Sequence, residues 1–278
     1  MSVQAGRVGA FLDGVAAPLA GERLDLLLRL AMSMAVLTVV FETLLDIEGN
    51  LRTGRYHLLA AAAGFVLAVP LTFLERTSRI GLALFAVSIA VYIAEKWAVY
   101  HNHGWLTLWT IPAALLFGAR WWRSGLYRWY LRATLGIVML AACAQKLLAG
   151  SYLDGTYITF LSLNGSNTEQ MFGFLCGADQ AAGSCGWHRF LGSFIVAWQA
   201  AVGVLLLAGV RHLLFLFVEI GFLLGAGVFA DEMNFQVLNI ALLSIVFNYG
   251  MRPWLCALCL VLLAVDAYSI SALVAHAL

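Results

Sequence analysis

The sequence predicts an all-α fold: a polytopic integral membrane bundle of about eight to nine transmembrane helices, with its N-terminus in the cytoplasm. Three observations predict it. Hydrophobic residues make up 63% of the 278 positions and charged residues only 11%, against about 45–50% and about 25% in soluble domains. So few charges cannot cover a water-facing surface. Apolar runs approaching the roughly 20 residues of a spanning helix recur along the whole chain. These runs are apolar all round, whereas barrel strands would alternate apolar and polar residues. An ordinary soluble protein and a disordered chain are excluded. The net charge of +1 also argues against nucleic acid or any other polyanion as partner.

The elements follow in order. Nine runs are read as spans: Leu24–Leu45, Leu58–Leu74, Ile80–Trp97, Leu106–Ala119, Leu131–Ala149, Phe190–Gly209, Leu213–Phe229, Phe235–Tyr249 and Trp254–Ala275. The fourth is short, and the seventh and eighth can be counted as a re-entrant pair. Before them, Arg7, Asp13, Glu22 and Arg23 interrupt any apolar stretch of the signal-peptide kind. Gly9–Gly21 reads either as an amphipathic helix on the membrane surface or as a loose tail. Residues 1–278 form one transmembrane domain, and the long loop 150–188 belongs to it.

Basic residues orient the bundle. With nine spans, the inner segments carry eleven: Arg7, Arg23, Arg29, Arg76, Arg79, Arg120, Arg123, Arg128, Arg132, Arg211 and Arg252. The outer segments carry five: Arg52, Arg55, Lys96, Lys146 and Arg189. The richer side is cytoplasmic. The expected location is the inner (plasma) membrane, with multiple passes. Cys176 and Cys185 then lie in the outer loop, nine residues apart, where an oxidising compartment favours a disulfide. Cys143, Cys256 and Cys259 fall within spans and read as buried thiols, with a redox-active C-x-x-C at Cys256 and Cys259 as the alternative. No cysteine spacing matches a structural zinc site, and no metal is expected. A metal or haem site from His57, His101 and His103 is permitted by placement but not demanded by spacing.

The remaining ionisable groups gather on the outer face: Glu42, Asp46, Glu95, Lys96, His101, His103, Lys146, Asp231 and Glu232. Charge in a span costs roughly 2.5–3.5 kcal/mol on insertion scales, so each such group needs a reason. Lys146 stands out, because it follows the apolar run Gly136–Ala144 and precedes Leu147 and Leu148. Apolar surroundings favour a neutral amine, the form that acts as a base. Glu219, in the middle of the seventh span, needs protonation or a partner.

Three segments carry a resemblance. They are His101-Asn102-His103-Gly104-Trp105-Leu106, then Gln145-Lys146-Leu147 with Gly150-Ser151-Tyr152-Leu153-Asp154-Gly155, then Met233-Asn234-Phe235-Gln236-Val237-Leu238-Asn239-Ile240. In order and spacing they resemble the membrane domain of the vitamin K-dependent γ-glutamyl carboxylases, also called the horizontally transferred transmembrane (HTTM) domain. The first resembles that family's Asn-His-x-Tyr-Leu stretch, the second its Lys-Leu…Trp-x-x-Gly stretch, and the third its Phe-His-x-x-Asn region. Asp231 stands at the third region's histidine position, preceded by Ala230 instead of Phe. Tyr152 or Leu153 stands where the second has tryptophan.

The resemblance implies a membrane enzyme that uses a reduced vitamin K-type quinone and O₂ at the extracytoplasmic face. Its reaction class is carbon–carbon lyase chemistry, adding CO₂ to a glutamate in a peptide. By motif, Lys146 is the implied base, assisted by His103. Asn102, His101, Asn234, Asp231 and Tyr152 are the implied binding residues. The large lumenal domain of the animal carboxylases has no expected counterpart here, as in many bacterial relatives that keep the membrane domain alone. The implied partners are the lipid bilayer, a lipid quinone and a peptide substrate. The alternative is a non-catalytic membrane subunit, an assembly factor, or a maturation or immunity partner that docks another membrane protein on the same polar cluster.

Overall fold

The computed structural model describes residues 21–96, 102–164, 166–177, 185–230 and 232–277, and within them not the side chains of 45, 102, 103, 164, 166–168, 170 and 266–277. Among these residues every regular element is helical. The helices are α1 (Glu22–Leu45), α2 (Ile47–Arg52), α3 (Tyr56–Phe73), α4 (Ser78–Lys96), α5 (Asn102–Thr110), α6 (Gly125–Ala149), α7 (Thr156–Asn164), α8 (Ser166–Cys176), α9 (Gly186–Leu207), α10 (Leu213–Ala230), α11 (Met233–Val246) and α12 (Pro253–Ala277). Six of them are long and apolar enough to cross a membrane: α1, α3, α4, α6, α9 and α10.

Two of the other apolar runs are shorter for identifiable reasons, while α12 extends over 25 residues. The run from Leu106 breaks at Pro112, which has no N–H to continue the helix, and goes on as a 3₁₀ helix over Pro112–Phe117. The 14 residues of α11 reach about 21 Å, less than the ~30 Å hydrocarbon core. That helix is enclosed by protein instead. Every residue from Gln236 to Val246 is buried, and α11 packs against α1 and α10. Together with α1, whose Ala31, Met32, Ala35 and Val36 are fully buried, it forms the centre of the bundle.

Close approach of α6 and α9 depends on paired glycines. A Cβ on Gly136 would meet Leu207 Cγ at 2.9 Å and the Gly203 carbonyl at 3.1 Å. A Cβ on Gly203 would meet Leu140 Cγ at 2.8 Å and the Gly136 carbonyl at 3.0 Å. Small residues let spanning helices bring their backbones together where no hydrophobic driving force separates lipid from protein.

The two ends of the bundle differ chemically. At one end Arg123 Nε donates to Asp25 at 2.7 Å, while Arg29 and Arg120 lie 3.5 and 3.6 Å from Glu75. Arg29 also sits over the Trp122 ring, and Trp121 donates to Ser78. The backbone of Met251, just before α12, donates to Leu27 at this same end. At the opposite end Lys96 pairs with Asp46, and Glu95 lies 3.5 Å from His57 and 4.0 Å from Arg55. Since α6 starts beside the arginines, its last turn, with Lys146, lies at this second end.

Candidate functional site

Local sequence places Lys146. Ser124 caps the start of α6 by accepting from the Tyr127 N–H. Gly150 ends the helix in the left-handed conformation, φ 73°, and its N–H bonds the carbonyl of Lys146 itself. Lys146 therefore occupies the final turn, where a cation suits the exposed carbonyls of the helix end. The chain then turns sharply. Leu153 and Asp154 donate their N–H groups to the Gly150 carbonyl, and Tyr157 donates to Ser151. This fold-back brings the Tyr152 ring beneath the amine, with Lys146 Nζ 5.0 Å from the ring centroid. Tyr157 stacks on Tyr152, centroids 4.4 Å apart and planes 22° apart.

The turn is pinned from two directions. The Tyr152 carbonyl presses on Gly192 of α9, where any Cβ would overlap it. Asp154 Oδ1 accepts from both the Thr156 N–H at 2.9 Å and the Thr156 hydroxyl at 2.7 Å, which starts α7. These hydrogen bonds hold the Asp154 carboxyl below its ordinary range. A depressed folded-state pKa contributes order that is present above the unfolded value, about 4, and is lost as pH falls through the lower folded value. Protection of the Thr156 amide, the slowing of its exchange relative to the open-chain rate at the same pH, is thus expected to fall in Asp154→Ala at pH 7, and in the unmodified chain only below about pH 4.

Electrostatics at this end centre on one amine and one phenol. Burial, followed by the neighbouring Tyr157, pushes the Tyr152 phenol well above its usual range, so the ring facing Lys146 is neutral. Glu232, immediately before α11, acts on both Lys146 and Tyr152 through space. No carboxylate among the described residues lies within ion-pair distance of Lys146. In contrast, Lys96, Glu95, Asp46, Arg55 and His57 are joined in pairs. The outer polar set thus divides into a group that binds helix ends together and a separate amine over an aromatic ring.

Of the residues singled out from sequence, the fold brings Lys146 and Tyr152 together. Asn234 lies on the first turn of α11, at the same end, and its buried Oδ1 has no hydrogen-bond partner among the described residues. His101 and Asp231 lie outside the described residues, and Asn102 and His103 enter only through the backbone, at the start of α5. The Cys176–Cys185 disulfide is formed, with Cα atoms 5.6 Å apart. Cys143, Cys256 and Cys259 remain free thiols.

Sequence reasoning missed Tyr157, Gly192, Thr159 and His188, and it named Glu232 only as one of the outer charges. A readable signal existed for Tyr157 and His188 alone: an aromatic five residues beyond Tyr152, and the Cys185-Gly-Trp-His188 spacing. Glu219 gains the partner it needed, because Trp198 Nε1 on α9 donates to its Oε2 at 2.8 Å. Trp198→Phe removes that donor from a carboxyl that is 1% exposed. A loss of about 1–3 kcal/mol is expected, measured as thermal unfolding in detergent.

This end of the bundle thus presents a pair of stacked tyrosine rings, the Lys146 amine and the buried Asn234 Oδ1 acceptor. In comparisons with known proteins, the chain matches no family model, no curated protein and no solved structure.

Proposed function

We propose that the chain is a multi-pass inner-membrane enzyme that acts on a lipid hydroquinone at its extracytoplasmic face. The observation that carries this reading is the Lys146 amine held over the neutral Tyr152 ring, with no ion-pair partner among the described residues. An amine so placed can take a proton from a phenolic hydroxyl instead of being held by a carboxylate. The bound group would supply the reducing electrons for O₂ and the drive for carboxylation of a peptide glutamate. Lys146 accepts the hydroxyl proton. Tyr152 and Tyr157 orient the ring, and Asn234 Oδ1 accepts from a second hydroxyl. His103, His101, Asn102 and Asp231 complete the polar rim in this proposal.

Orientation belongs to the same proposal. Eight to nine segments pass through or enter the bilayer, with the N-terminus in the cytoplasm. The arginine-rich end with Arg120 and Arg123 faces inward, and Lys146 and the disulfide face outward. The test is oxygen uptake by the purified chain in lipid nanodiscs given a reduced naphthoquinone. Uptake above the uncatalysed rate is expected. A rate equal to that of empty nanodiscs overturns the proposal.

A further inference from the structure

A second cluster of reactive side chains lies where α8, α7 and α9 meet. Cys176 ends α8, Cys185 is the residue that caps α9, and His188 sits in the first turn of α9. Their two sulfurs and a ring nitrogen all lie within 4.8 Å of one another. His188 is 1% exposed, and its ring packs edge-on against Phe172 at 4.6 Å. Its tautomer follows from its neighbours. The Thr159 hydroxyl donates to the Gly155 carbonyl at 3.0 Å, so the same oxygen accepts from His188 Nδ1–H at 2.8 Å. That leaves the Nε2 lone pair facing Cys176 Sγ, 3.8 Å away.

We infer that Cys176, Cys185 and His188 form a redox-gated site for a thiophilic divalent cation such as Zn²⁺. In the oxidised chain the sulfurs are tied to each other and cannot coordinate. A dithiol reductant opens the site by supplying one electron pair and two protons. The Cys176–Cys185 S–S bond breaks to two thiols while the reductant closes its own S–S bond. The cation then displaces the two thiol protons to solvent and binds both thiolates and His188 Nε2.

Four features support this chemistry. Zinc binds two thiolates and an imidazole in a tetrahedral set, in which nitrogen and sulfur lie about 3.5 Å apart. The observed 3.8 Å between Nε2 and Cys176 Sγ is close to that. Metal-binding histidines characteristically donate their other N–H to an oxygen, as His188 does to Thr159. Cys185 is the N-cap residue of a 22-residue helix, whose positive end favours a thiolate. Access comes from an open cleft of ≈ 520 Å³ lined by Leu175, Cys176, Cys185, Gly186, Trp187 and Phe190. Because both cysteines line it, reductant and cation enter from that side, and a fourth, exchangeable ligand completes the tetrahedron there.

Co²⁺ is the probe, used anaerobically on the full chain in detergent with Cys143, Cys256 and Cys259 changed to serine. After dithiol treatment and removal of the dithiol, one Co²⁺ per chain is expected. It should show a sulfur-to-cobalt charge-transfer band and visible tetrahedral bands, and Zn²⁺ should bleach both. The oxidised chain should show neither. Thr159→Val should weaken binding roughly 10–100-fold, and His188→Ala by more. His188→Cys should restore the affinity with a stronger charge-transfer band. The inference is overturned if the reduced chain shows no such band. It is equally overturned if His188→Ala binds Co²⁺ as tightly as the parent chain.

Discussion

Lys146→Ala is expected to lower quinol-dependent oxygen uptake by roughly 10²–10⁴-fold, the usual contribution of a positioned base. The chain should remain folded, because Lys146 makes no ion pair among the described residues and is half-exposed on the last turn of α6. The informative companion is Lys146→Arg. It preserves a cation over the Tyr152 ring but cannot become neutral, so it cannot accept a proton. If Lys146 acts as a base, the arginine variant is as inactive as the alanine variant. Activity restored by arginine would mean that only the positive charge matters, and the proton-transfer role would be wrong. Helical content and elution volume, unchanged in both variants, separate this from loss of fold.

The second large effect is structural. Gly192→Val should destabilise the protein by about 1–3 kcal/mol, the usual range for forcing extra atoms into a packed site. The atom in the way is the backbone carbonyl of Tyr152, which cannot swing aside as a long side chain can. The turn from Gly150 to Gly155 must therefore lift from α9, taking the Tyr152 ring away from Lys146. Stability and activity should fall together. Gly221→Ala, on α10, has nothing within 4 Å of the added methyl and serves as the control. Thermal unfolding followed by tryptophan fluorescence reads both. A Gly192→Val chain as stable and as active as its parent would show that the contact does not hold the turn.

Much of the fold was legible because apolar runs in a lipid solvent leave few alternatives to helix. Each of the nine runs corresponds to helical structure, and six have the length and hydropathy to cross the bilayer. What the runs do not reveal is which neighbour shields them. The Phe235 run is apolar like the others, yet α11 is short and enclosed by other helices. Only the packing distinguishes the two situations. The break at Pro112 was readable from proline chemistry, and the expectation of a span there passed over it.

The site was legible only where the chain is local. Lys146 and Tyr152 are six residues apart across a glycine stop, so the sequence places them near each other. The Cys176–Cys185 pairing follows in the same way from a short spacing. Contacts formed between helices were not legible. Gly192 is separated from Tyr152 by a loop and two helices, and Thr159 meets His188 across the same interval. The outer charges likewise read as one cluster, while ion pairing splits Lys96 and Asp46 from Lys146.

The central claim is that the Lys146–Tyr152 end holds a lipid quinone. Mass spectrometry of lipids co-purified with the full chain tests it most directly. The account predicts a quinone approaching one per chain in the unmodified protein and depleted in Gly192→Val. A preparation that carries no quinone but retains a stoichiometric second membrane protein would contradict it, and would make the polar end a docking surface.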